Sequence, residues 1–203
     1  MPSFMALLLM FSSCCLVLSA ASGYNIDSGF SKDCSTSKKV FVVIKVFDGD
    51  TILVNAGGAS NHSFKIRFLG IDAFESNQNI YGKQAKDFLT KLALNKTVCI
   101  ETDIEEKDRY GRTLGYVFLK SVSKDLNKEK NLRKKDLSIN EVLVKNGQAL
   151  LYAFPPNIKY VDRLKESQIY ARQNMLGVWE KESYIKETPA QWRHKHPHKK
   201  YKK

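Results

Sequence analysis

The chain reads as a mainly β protein with helices packed on it: five short strands closing into a small barrel, and about three helices. Three observations lead there. Runs rich in β-branched and aromatic residues are bounded by Asp, Gly and Asn turns. Apolar residues at helical spacing interrupt and follow those runs. A length of 203 residues, 43% of them hydrophobic, supports one sizeable core with extensions rather than two domains.

The first strand is Lys39 to Phe47, nearly all β-branched or aromatic at its centre. A turn at Asp48-Gly49-Asp50 leads to a second, Thr51 to Val54, and Asn55 to Asn61 punctuates before a third, Phe64 to Ile71. Short turns make these three an antiparallel meander. From Tyr81 to Leu94, Ala85, Phe88, Leu89 and Leu92 recur at helical spacing and predict an amphipathic helix. Strands follow at Thr97 to Thr102 and Thr113 to Leu119, separated by a polar segment. After a charged insertion, Lys120 to Asp136, Ser138-Ile139-Asn140-Glu141 has capping-box spacing, and a helix from there ends at Gly147. Tyr160 to Asn174 is the last helix, and Gly177-Val178-Trp179 closes the body. The count of five strands fits a barrel of the oligonucleotide-binding type, the OB-fold. An open α+β sheet fits the same count.

The net charge of +12 calls for an acidic partner, and nucleic acid is the simplest. From Lys186 to Lys203 there are seven Lys or Arg residues against Glu187 alone, so much of the excess lies in a tail without apolar periodicity, read as a mobile basic arm. Phe4 to Leu18 is nearly all apolar and is followed by Ser19-Ala20-Ala21, which predicts a signal peptide cleaved after Ala21 and a secreted or periplasmic protein. That leaves Cys34 and Cys99 as the thiols of the mature chain. They either form one disulfide, worth roughly 4 kcal/mol in the chain-entropy model, or stay unpaired with Cys99 a core residue.

The chemistry is concentrated in few residues. Asp48 and Asp50 flank a tight turn at a strand end and Asp72 ends another strand. Brought together, they and a backbone carbonyl such as that of Ala73 supply the hard oxygen ligands that a divalent cation requires. Asp-Gly-Asp alone is equally a simple turn with Asx residues. Glu75 is placed to take a proton from a water attacking phosphorus. Arg67 and Arg112 each offer a bidentate fork to a phosphate. Together these residues point to metal-assisted cleavage of a phosphodiester.

Several linked motifs then resemble the staphylococcal-nuclease-like, or thermonuclease, family over roughly Val40 to Trp179. They are Asp48-Gly49-Asp50-Thr51, Ile66 to Asp72 with Glu75 beyond, Tyr81-Gly82, Asp108-Arg109-Tyr110-Gly111-Arg112 before Gly115-Tyr116, and Asn140 to Val144 running to Gly147. The resemblance implies an OB-fold nuclease that hydrolyses DNA and RNA with little sequence preference and leaves 3′-phosphate ends. It implies that Asp50, Asp72 and the Ala73 carbonyl bind Ca2+ while Asp48 shapes the site, that Glu75 is the general base, and that Arg67 and Arg112 bind phosphate. Tyr110 and Tyr152 correspond to tyrosines flanking the nucleotide. Ala73-Phe74 stand where the family usually has Thr-Pro, which removes a fixed φ beside Glu75. The expected organisation is a signal at 1–21, an arm at 22–37, the nuclease-like domain at 38–180 and a basic tail at 181–203. A monomer without stable membrane association after signal removal is expected.

Overall fold

The computed structural model describes residues 40–56, 62–120, 137–180 and 185–197. The expected signal peptide, the N-terminal arm, Cys34, and residues 121–136 of the charged insertion lie outside these.

Five strands form a closed barrel in the order β1-β2-β3-β6-β5: β1 Phe41–Val46, β2 Thr51–Asn55, β3 Ser63–Phe68, β5 Thr97–Glu101 and β6 Thr113–Leu119. β1, β2 and β3 make the expected antiparallel meander. Closure comes from three further pairings: β5 antiparallel to β6, β1 antiparallel to β5, and β3 parallel to β6 with Ile66 opposite Thr113. Inward-pointing residues of alternate positions fill the barrel: Val43, Ile52, Val54, Ile66, Val98 and Val117 are all fully buried. Cys99, on β5, is disulfide-bonded.

The third predicted strand is two strands rather than one. Gly70 has φ +75°, a conformation glycine adopts without steric penalty, and there the chain leaves the barrel. It continues as β4, Ile71–Ala73, which pairs with β7, Ala149–Leu151, in a separate two-stranded sheet.

Helix α1, Ile80–Ala93, is capped by the Asn79 side chain, which accepts from the Tyr81 and Gly82 amides, and it buries Ala85, Leu89, Leu92 and Ala93. Helix α2, Ile139–Lys145, starts with the predicted capping box of Ser138 and Glu141. Helix α3, Val161–Gln173, buries Leu164, Ser167 and Ala171, and a 3-10 turn at Gly177–Trp179 follows. The buried Asn140 side chain ties α2 to the barrel: it donates to Leu69 O at 2.8 Å and Gly115 O at 3.3 Å and accepts from Val117 N at 3.0 Å.

A fourth helix, α4, Pro189–Lys195, lies in the segment read as a mobile basic arm. Thr188 and Gln191 form a capping box with Pro189 at the first turn, so Thr-Pro-Ala-Gln specifies a helix start that charge counting overlooks.

Candidate active site

The site is built where the β1–β2 turn meets β4. Phe47 N–H donates to Thr51 O at 2.9 Å and Asp50 N–H to Asp48 Oδ1 at 3.0 Å, so the Asp-Gly-Asp turn is internally bonded. A Cβ on Gly49 would lie 2.6 Å from the Ala73 side chain and 2.7 Å from that of Ala85. The glycine is therefore what lets the turn press against β4 and α1. Asp50 Oδ2 then accepts from Ala73 N–H at 2.8 Å, and Asp50 Oδ1 from the Thr51 hydroxyl at 3.1 Å.

Arg67, near the end of β3, fastens the acids together. Its Nη1 donates to Phe68 O at 2.9 Å and Ile71 O at 3.0 Å, while Nη2 lies 3.0 Å from Asp72 Oδ1 and 3.2 Å from Asp50 Oδ2. One nitrogen thus touches both carboxylates, and both are almost completely buried. Burial pushes Asp72 above the ordinary carboxylate range, opposed by its arginine partners. Asp48 is pushed up to about 7, first by burial and then by the neighbouring Asp50 charge. Negative charge crowded into a poorly solvated site favours a cation, and two buried carboxylates with hard oxygens suit a divalent one. Among the described residues no three Asp, Glu, His or Cys side chains close around one point. The carboxylates are instead arranged around guanidinium groups.

Glu75 sits in the turn between β4 and α1. Phe74 is buried, with its ring 6.0 Å from that of Tyr81, and Gln78 N–H donates to Glu75 O at 2.9 Å. Gly82 packs so closely that a Cβ there would be 1.9 Å from Glu75 O. The turn is fixed by packing.

Arg112 immediately precedes β6, the strand that pairs with the one carrying Arg67. Its side chain is directed by Asp108 rather than by the carboxylate cluster. Arg112 Nε donates to Asp108 Oδ2 at 2.6 Å, and Asp108 Oδ1 accepts from the amides of Tyr110 and Arg112. Burial raises the Asp108 pKa, but these bonds together outweigh it and hold the carboxyl below its usual range. Tyr110 is exposed, with the guanidinium groups of Arg109 and Arg112 4.8 and 5.5 Å from its ring centre. Tyr152 is also exposed and meets Phe154 edge-on at 4.7 Å, a second ring unassigned from sequence.

The arrangement also contains Arg193 of α4, which sequence reading left in the tail. Its Nη2 lies 2.7 Å from Asp72 Oδ2 and its Nη1 3.0 Å from Glu75 Oε1. Burial lowers the Arg193 pKa, but the hydrogen bonds and charges of Asp72 and Glu75 outweigh it and raise the value above the ordinary one.

The family model for staphylococcal nuclease homologues matches residues 65–181. The chain is 35% identical over 150 residues to the thermonuclease of Staphylococcus hyicus, covering 71% of this chain and 78% of that protein. Against the thermonuclease of Staphylococcus intermedius it is 33% identical over 163 residues, or 77% and 86% of the two chains. The chain belongs to the staphylococcal nuclease homologue family. Endonuclease YncB of Bacillus subtilis is a more distant relative, 28% identical over 148 residues, 70% of this chain and 62% of its own. For a staphylococcal nuclease homologue, the closed five-stranded barrel and the turn carrying Asp48 and Asp50 agree with the fold read from sequence.

Proposed function

We propose that the chain is a secreted or periplasmic nuclease that uses Ca2+ to hydrolyse phosphodiester bonds of DNA and RNA with little sequence preference, leaving 3′-phosphate ends. The observation that carries this reading is the grouping of the buried Asp50 and Asp72 on Arg67, with Glu75 reached from the same Asp72 through Arg193. A binding barrel gains nothing from burying carboxylates beside the place where phosphate would lie. The chain's thermonuclease and endonuclease relatives support the same activity.

In this reading Asp50, Asp72 and the Ala73 carbonyl hold the cation, and Asp48 sets the turn that places Asp50. When bound, Ca2+ supplies positive charge that polarises the phosphoryl oxygens. Glu75 takes a proton from the attacking water as the water oxygen bonds to phosphorus, and the 5′-oxygen, its bond to phosphorus broken, leaves as a hydroxyl after taking a proton from solvent. Arg67 and Arg112 hold non-bridging oxygens whose charge grows at the pentacoordinate stage. Tyr110 and Tyr152 offer faces to the flanking bases, and base stacking is indifferent to sequence. Residues 38–180 form the nuclease domain, preceded by a signal at 1–21 and an arm at 22–37. Cys34 is the proposed partner of Cys99, and the protein acts as a monomer. Among the described residues no helix is long and apolar enough to cross a membrane.

The test is degradation of single-stranded DNA and RNA by the chain from Ser22, with calcium or chelator, beside Glu75→Gln. Calcium-dependent cleavage lost in the variant is the expected result. Tight binding without cleavage under any divalent ion would leave a binding barrel instead.

A further inference from the structure

We infer that helix α4 is an intramolecular plug whose Arg193 takes the place of cation and substrate at Asp72 and Glu75, and that loading the site requires α4 to leave. The inference rests on the reading of Asp50 and Asp72 as cation ligands.

The two oxygens of Asp72 are both taken by guanidinium groups, and the two partners differ. Oδ1 faces Arg67, which also bonds to backbone carbonyls of its own strand region and is an integral part of the fold. Oδ2 faces Arg193, which arrives from a helix 121 residues away in sequence. The same guanidinium uses its other arm on Glu75 Oε1 at 3.0 Å. The guanidinium thus occupies Glu75 Oε1, where a water or phosphate would otherwise approach, and a cation at Asp72 Oδ2 would face a like charge within bonding distance. Arg193 is therefore compatible with the resting site and incompatible with the loaded one.

The attachment of α4 is slight enough to be reversible. Within this seven-residue helix only Pro189 is buried. Arg193 itself is about one-third exposed, with 31% of its side chain accessible. Beyond the two ion pairs, the lead-in segment is held by Gln78 Nε2 donating to Glu187 O at 3.1 Å. Between that segment and the body lies a cavity of about 230 Å3, lined by Phe74, Gln78, Tyr81 and Ile185 among others. Such loosely packed elements open at low free-energy cost. Nucleic acid eases the opening further, because its phosphates give Arg193 and Lys195 new anionic partners.

Calorimetric calcium titration of the wild type, Arg193→Ala and Arg193→Lys tests the proposal, together with amide hydrogen exchange across 189–195. If α4 is seated about nine-tenths of the time, apparent affinity should rise about tenfold in R193A, with R193K between the two. Calcium should abolish protection of the α4 amides in the wild type. Equal or weaker calcium binding by R193A, or α4 amides still protected at saturating calcium, would overturn the plug and leave the metal site standing. No calcium binding by any of the three proteins would overturn the site reading and the plug with it. Thermal melts of the variants guard against misfolding as the cause.

Discussion

Arg112 Nε donates to Asp108 Oδ2 at 2.6 Å while Asp108 Oδ1 accepts from the Arg112 amide at 3.0 Å, so one carboxylate sets both the backbone and the side chain of the arginine. Removing that hold leaves Arg112 charged but unaimed. Asp108→Ala should lower turnover by up to about a hundredfold through misplacement alone. Asp108→Asn keeps an acceptor for the two amides and should lose less. Equal turnover for D108A and wild type in a DNA cleavage assay would remove Asp108 from the positioning of Arg112.

Arg67 makes four contacts through two nitrogens, and its planar fork is what permits them. Lysine keeps the charge but not the geometry. Arg67→Lys should therefore reduce turnover by about 10² to 10³, the range for loss of a preorganised donor, and lower the melting temperature. A variant with near wild-type turnover would show that Arg67 acts through charge alone.

Asp48 gives a pH signature in the absence of metal. Its pKa rises from 3.8 to about 7 in the folded protein, so the native state binds the proton more tightly than the unfolded chain. The stability it contributes is fully present below its unfolded pKa of 3.8 and is lost as pH rises through about 7. In chelator, wild type should therefore lose stability relative to Asp48→Asn between those two values, the asparagine retaining an acceptor for Asp50 N–H. Melting temperatures whose difference stays constant across that window would contradict the shift. Saturating calcium should flatten the difference.

Gly82 has no room for a side chain against Glu75 O. Gly82→Ala should push the Glu75 turn outward, costing about 1–3 kcal/mol of stability and most of the cleavage activity. Unchanged activity, measured at a temperature where the variant is folded, would mean that the turn tolerates displacement.

Glu141 is 1% exposed, closes the α2 capping box and meets Arg163 Nε at 2.7 Å. Arg163→Ala leaves that carboxylate buried without its cation, and loss of one partner of such a pair costs about 3–5 kcal/mol. Denaturant unfolding measures it directly. A loss under about 1 kcal/mol would mean that the capping bonds to Ser138 alone satisfy Glu141.

The barrel strands and the first three helices were legible because each carries a period or a stop signal long enough to read. Phe64 to Ile71 failed as a single strand because its apolar run continues through Gly70, and only the pairing of Ile71 with Leu151 shows that the chain has changed sheets. Three-residue strands such as β4 and β7 are too short for periodicity to detect. At the site, Asp50, Arg67 and Asp72 could be chosen by chemical type, and they do meet. Asp108 lay within a motif but had no assigned role, since its function is to hold another residue. Arg193 was hidden for a different reason: its partners are remote in sequence, and a basic tail offers no pattern that says which arginine docks.

Asn140 ties helix α2 to the closed state of the barrel. Its side chain needs Leu69 O, Gly115 O and Val117 N at once, and those groups converge only after β3 lies beside β6, strands separated along the chain by α1 and β5. Opening the β3–β6 seam therefore strips helix α2 of this anchor. Because Arg67 lies in that same β3, opening the seam also frees the arginine that holds Asp50 and Asp72 together, so the carboxylate cluster and the seat of α2 depend on one seam.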